Sequence, residues 1–147
     1  MDVEGVWFAG ADGYGIVQHS ADDSLVTPAN PARRGEVLVG YATGLGSVSV
    51  PVETGHAVDP GRVAVAQTPR DVLISGTKAE VYFEGLAPAL VGVFQINFRV
   101  PDNTAPGDAE LTLSNSFTSC PPFGACEHRQ RPVTNTVSSR SVKLAIR

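Results

Sequence analysis

Apolar and polar residues take turns without a break from Val93 to Val100, and Pro101 ends the run. Phe94, Ile96, Phe98 and Val100 fall on one side of an extended chain; Gln95, Asn97 and Arg99 fall on the other. A strand with one face in a core and one in water has this pattern. Ala109 to Leu113 and Val142 to Arg147 alternate in the same way. Glu36 to Ala42 is almost continuously apolar, as a central strand would be. Shorter extended runs are predicted at Gly5–Ala9, Tyr14–Gln18, Val63–Ala66, Val72–Ile74 and Ala79–Glu84. Asp12-Gly13, Gly44-Leu45-Gly46, Gly76 and the stretch from Asp102 to Gly107 supply turns. Residues 19–34 and 47–62 are polar or proline-bearing and read as surface crossings, and Gly85 to Val91 has room for a single helical turn.

No window keeps helical spacing over several turns. Short strands punctuated by turns predict an all-β chain, an antiparallel sandwich of about 7–9 strands whose alternating sets close on each other. Neither an internal repeat nor a dividing linker is visible, so residues 1–147 are expected to form one domain.

Composition excludes some classes of protein. A hydrophobic fraction of 42% with 18% charged residues is too apolar for a disordered chain. No apolar run approaches the roughly 18 residues of a membrane helix. The net charge of −4, with no basic stripe, argues against a nucleic-acid surface. Met1-Asp2-Val3-Glu4 does not open a secretion signal, so a secreted form is expected to carry its signal outside this chain. Cys120 and Cys126 lie close together in a Pro/Gly-rich stretch. A disulfide between them is expected, and with it an oxidising compartment; two free thiols are the competing reading. Zinc is disfavoured there, because His128 alone is near and a structural site needs four ligands.

Several ordered segments resemble one family. They are Arg34-Gly35-Glu36-Val37-Leu38-Val39-Gly40-Tyr41-Ala42-Thr43-Gly44-Leu45-Gly46, Tyr82-Phe83-Glu84-Gly85-Leu86-Ala87-Pro88 and Val91-Gly92-Val93-Phe94-Gln95-Ile96-Asn97. Val100-Pro101 with Gly107-Asp108-Ala109, and the opening Gly5-Val6-Trp7-Phe8, extend the likeness over nearly the whole chain. The chain is similar to the Solibacter-type C-terminal domain found at the ends of large secreted proteins of soil acidobacteria. That resemblance implies an immunoglobulin-like sandwich at the cell exterior, and it brings no catalytic residues or cofactor. The chain departs from the family between residues 115 and 131, where Ser116 to Arg129 is expected to form a longer, stapled excursion.

Candidate chemistry is sparse. His19, His56 and His128 fall in separate predicted loops and read as solvated. No Gly-x-Ser-x-Gly elbow supports a serine nucleophile. Asp12, Asp22, Asp23, Asp59 and Asp71 lack the spacing of a dedicated calcium loop. A Lys–Asn cross-link needs a buried lysine, whereas alternation puts Lys78 and Lys143 outside, opposite Ala79, Val81 and Phe83 and opposite Val142, Leu144 and Ile146. No residue is assigned a catalytic role, no metal or other cofactor is implied, and an enzyme is not expected.

Three surfaces stand out as binding candidates. The excursion combines Phe117, Phe123, His128, Arg129 and Arg131, types that anchor protein contacts; a tolerated hairpin-tip insertion is the alternative. Tyr14 and Tyr82 are weaker candidates for glycan contact, while Trp7 is expected in the core. Gln95 and Asn97 lie opposite the apolar set, either bonding neighbouring loops or forming a polar ligand surface. The expected function is a non-catalytic extracellular or cell-surface module for adhesion, anchoring or assembly, with a protein partner or self-association by strand addition. A carbohydrate-binding module contacting a surface glycan is the alternative. Neither nucleic acid nor membrane insertion is expected.

Overall fold

Residues 5–119 and 133–147 are described in this computed structural model; they contain ten strands and no helix. The strands are β1 (Val6–Trp7), β2 (Val17–His19), β3 (Val37–Thr43), β4 (Asp71–Ile74), β5 (Thr77–Lys78), β6 (Glu80–Leu86), β7 (Phe94–Arg99), β8 (Gly107–Ser119), β9 (Val133–Ser138) and β10 (Val142–Ile146). Two antiparallel sheets of five strands result. The first runs β1-β3-β7-β6, with β2 also on β3; the second runs β10-β8-β4-β5, with β9 also on β8.

The alternating sets close on each other as their pattern predicts. Leu38, Phe94, Ile96, Phe98 and Val100 come from the first sheet; Val72, Ile74, Leu111, Leu113 and Leu144 come from the second. Each such side chain removed from water contributes about 1.5–3 kcal/mol. Trp7 is buried and meets Phe98 edge to face, with ring centroids 5.9 Å apart. Gly40 makes that fit possible, because a Cβ there would lie 2.5 Å from the Trp7 indole. Trp7 is therefore core, as expected.

Several expected boundaries move. The run from Ala79 to Glu84 belongs to a chain that first closes a hairpin and then changes sheet. Ser75 and Gly76, with φ of 49° and 80°, form the tight turn between β4 and β5. After Ala79 the chain crosses to become β6 of the first sheet. Residues 63–66 make only bridges, with Val65 on Gly85 and Ala66 on Val48. The helical turn expected after Gly85 is absent. Instead β6 continues to Leu86, held by Ala66 N–H donating to Glu84 O and Leu86 N–H donating to Ala64 O. Residues 116–119 were expected in a loop, yet they continue β8 alongside β9, with Ser116 opposite Thr136.

The change that matters most lies inside β6. Val81 pairs with Phe98, but the next paired residue is Phe83, opposite Asn97, because Tyr82 is an extra residue in a bulge. An inserted residue reverses the alternation beyond it. Phe83, expected inward, faces out, and Glu84 takes the inward position opposite Ile96.

Candidate binding face

Strand register assembles the outer face of the first sheet from residues far apart in the chain. One row runs Gln18–Val39–Asn97–Phe83. Tyr41, Gln95 and Gly85 form the next row, and Val37, Arg99 and Glu80 the row on the other side. Directly opposed residues on antiparallel strands share a face, so the two amides at 95 and 97 lie between the rings of Tyr41 and Phe83. Val39 is buried beneath this layer despite facing outward, whereas Tyr41, Phe83, Gln95 and Asn97 are half-buried.

The amides form an ordered pair. Gln95 Nε2 donates to Asn97 Oδ1 at 3.0 Å, and Tyr41 Oη donates to Gln18 Oε1 at 2.9 Å. Gln18 in turn donates to the Asp23 carbonyl at 2.9 Å, anchoring this corner. Gln95 and Asn97 thus keep one amide oxygen and one amide nitrogen for an outside partner. Charge borders the face at both ends: at one, Arg99 donates to Asp102 at 2.8 Å and Tyr82 Oη donates to Glu80 at 3.0 Å, and at the other the Asp23 carboxylate acts on Tyr41.

The bulge in β6 supports the face from behind. Glu84 is only 4% exposed and accepts from the Arg70 N–H with both oxygens, at 2.9 Å each. Burial pushes its carboxyl above the usual range, against the opposing pull of the Arg70 N–H and guanidinium. Arg70 is itself buried and donates from Nη1 to the Thr68 carbonyl at 2.6 Å. This carboxylate ties the loop carrying Arg70 to the end of β6, at the margin of an open groove that Val65, Val81 and Phe83 also line.

His19 corrects the expectation of a solvated histidine. It lies in β2 at 8% exposure, with Nδ1 on the Glu36 carboxylate and Nε2 3.1 Å from the Asn30 carbonyl. Burial works against its imidazolium, but Glu36, the Asn30 carbonyl and Asp22 outweigh burial and raise its pKa. Both nitrogens face acceptors, so neither is free to take a proton from a nucleophile. Ser24, nearby, donates to Asp22 instead, at 2.7 Å. His19 pins the crossing from Ala21 to Arg33 onto the first sheet. His56 is exposed, as expected.

Tyr14 and Tyr82 do not share a surface. Tyr14 Oη donates to Asp108 at 2.7 Å, and Lys143 lies 4.4 Å above its ring, so a charged neighbour already occupies one ring face. Tyr14 bridges to β10 on the second sheet, whereas Tyr82 is 53% exposed on β6 of the first. A two-tyrosine platform is thereby excluded, and only Tyr82 borders the face described above. Lys78 and Lys143 are exposed, as alternation predicted. Cys120, Cys126, Phe123, His128, Arg129 and Arg131 lie outside the described residues, as does the side chain of Phe117. Among the described residues no group of three His, Cys, Asp or Glu is placed to hold a metal, and no helix is long and apolar enough to cross a membrane.

Alternation alone pointed to Gln95 and Asn97. Gln18, Tyr41 and Phe83 carried no such signal, because strand register and the bulge bring them there. No family model, no curated protein and no solved structure matches this chain.

Proposed function

We propose that this domain is a non-catalytic extracellular attachment module that holds its parent protein to a surface through the outer face of the first sheet. The observation that carries this reading is the contrast between the two outer faces. Among the described residues one carries ion pairs across its strands, whereas the central rows of the other present rings and amides without charge. The resemblance to the Solibacter-type domain, with its immunoglobulin-like sandwich and secreted setting, supports the same reading. The paired roles of His19 and Glu84 in holding loops support a module without chemistry. A fluorescently labelled domain should be retained on bacterial envelope preparations and should wash away when Tyr41→Ala is introduced. Wild-type protein that washes off every envelope and matrix preparation would end this reading.

A second reading, self-association by strand addition, rests on one specific edge. The 64–66 segment caps the Glu84–Leu86 end of β6, but Glu80 to Tyr82 has no outward backbone bond among the described residues. An open groove of about 520 Å³, lined by Val65, Pro69, Val81 and Phe83 among others, runs beside it. The β10 edge contrasts with it, because Gly13, Gly15 and Ala32 bond to it at both ends. An added strand needs such a free ladder. Val81→Pro should abolish any oligomer seen by size exclusion, and a strict monomer at high concentration rules this reading out.

A further inference from the structure

The ligand chemistry of the first sheet's outer face is legible in its amides. Gln95 and Asn97 are bonded to each other, and this bond consumes one donor and one acceptor. Whichever way both amides are turned, one carbonyl oxygen and one amino group remain for an outside partner. That outward pair is uncharged and lies between the ring of Tyr41, in register with Gln95, and the ring of Phe83, in register with Asn97. A charged ligand would find no counter-ion within the central rows, because Arg99 is held by Asp102 at one end and Asp23 stands beside Tyr41 at the other. A purely apolar partner would strand two half-buried amide groups, a loss of about 1–3 kcal/mol each.

Neighbouring hydroxyls on a sugar ring satisfy both demands. One hydroxyl donates to the free carbonyl, its neighbour accepts from the free amino group, and the C–H faces of the ring lie against aromatic carbon. Pockets that hold small neutral ligands combine apolar and aromatic walls with a few placed polar groups in the same way. We infer that the Gln95–Asn97 pair, flanked by Tyr41 and Phe83, is a binding site for neutral polysaccharide. This inference rests on the attachment reading above and names the surface chemistry that the module grips. On the second sheet, the described Tyr14 is already engaged by Asp108 and Lys143.

The test is affinity electrophoresis of the whole chain through gels containing galactomannan, xyloglucan, β-1,3-glucan or, as the acidic counterpart, alginate. At least one neutral polymer should retard the wild-type protein. The double variant Gln95→Ala/Asn97→Ala should lose that retardation by about tenfold or more in affinity, the loss of one good hydrogen bond. Thr112→Ala, on the other sheet, should run as the wild type does. Because Gln95 and Asn97 are half-exposed, thermal melts of the double variant should stay close to wild type; amide chemical-shift mapping on the wild type gives a readout independent of any variant. Three results would overturn the site: no retardation by any neutral polymer, retardation unchanged in the double variant, or shifts confined to another surface. Envelope retention that persists while all the neutral polymers fail would sink the polysaccharide inference and leave attachment standing, with a protein as the receptor. A wild-type protein that neither stays on envelopes nor is retarded by any neutral polymer would mean that both readings fail.

Discussion

The two sheets have the same number of strands and share one core, yet their outer faces are built from different chemistry. On the second sheet Asp71 meets Lys78 at 2.9 Å, Lys143 lies opposite Glu110, and Asp108 accepts from Tyr14. Such a face is solvated by its own ions and resists association. On the first sheet the central rows hold Tyr41, Val39, Phe83, Gln95 and Asn97, and the ions border them, with Arg99, Asp102 and Glu80 at one end and Asp23 beside Tyr41 at the other. A sheet of this size needs only one buried face for stability. An outer face whose central rows are uncharged and half-apolar is what the proposed attachment role would use.

The sharpest way to break this comparison is at the base of the bulge. Glu84→Ala should leave the Arg70 N–H without its carboxylate acceptor and cost about 1–3 kcal/mol, read as a lower urea midpoint. Comparable losses from truncations of Glu110 or Asp108 would show that the two sheets do not differ in how their charges are used. Next in size, Gln95→Lys should cut envelope or polysaccharide binding about tenfold or more, whereas Thr112→Lys on the second face should leave it unchanged. Equal effects from the two lysines would erase the functional distinction between the faces.

A smaller effect separates the histidine from the surface ions. The His19 pKa is raised in the folded state, so its contribution is fully present below about 6.5 and is lost as pH rises through the folded value. Thermal stability should therefore decline over that alkaline interval, and His19→Gln should flatten the profile. A wild-type profile without this slope would refute the pinning role. Asp71→Asn should be the mildest change, because exposed ion pairs contribute about 0.5 kcal/mol or less. A loss several times larger would show that the second face holds the fold together through its ions.

How much could be read in advance varies by region for physical reasons. Strand β7 was legible residue by residue, because Phe94 to Val100 alternate strictly and no bulge interrupts them. Strand β3 was legible as a strand but not as a face. Its apolar run hides the fact that Val39 and Tyr41 look outward while Leu38 and Ala42 look inward. The tail of β6 was misread from Phe83 onward, since counting by twos cannot register an inserted residue. His19 was misread because its burial depends on Glu36 and Asn30, which the chain reaches only after a long crossing.

Side-chain polarity and the placement of Gly and Pro determined, from the sequence alone, that this chain forms short antiparallel strands around one interior. They also determined that Gln95 and Asn97 look away from it. These properties depend on near neighbours, so a local pattern is enough to reveal them. Only the tertiary structure decided which strands lie side by side, that Tyr82 is a bulge, and that Gln18, Tyr41 and Phe83 gather around the amide pair. Each of these depends on long-range register, which is set by packing the whole core at once and leaves no periodic trace in any single segment.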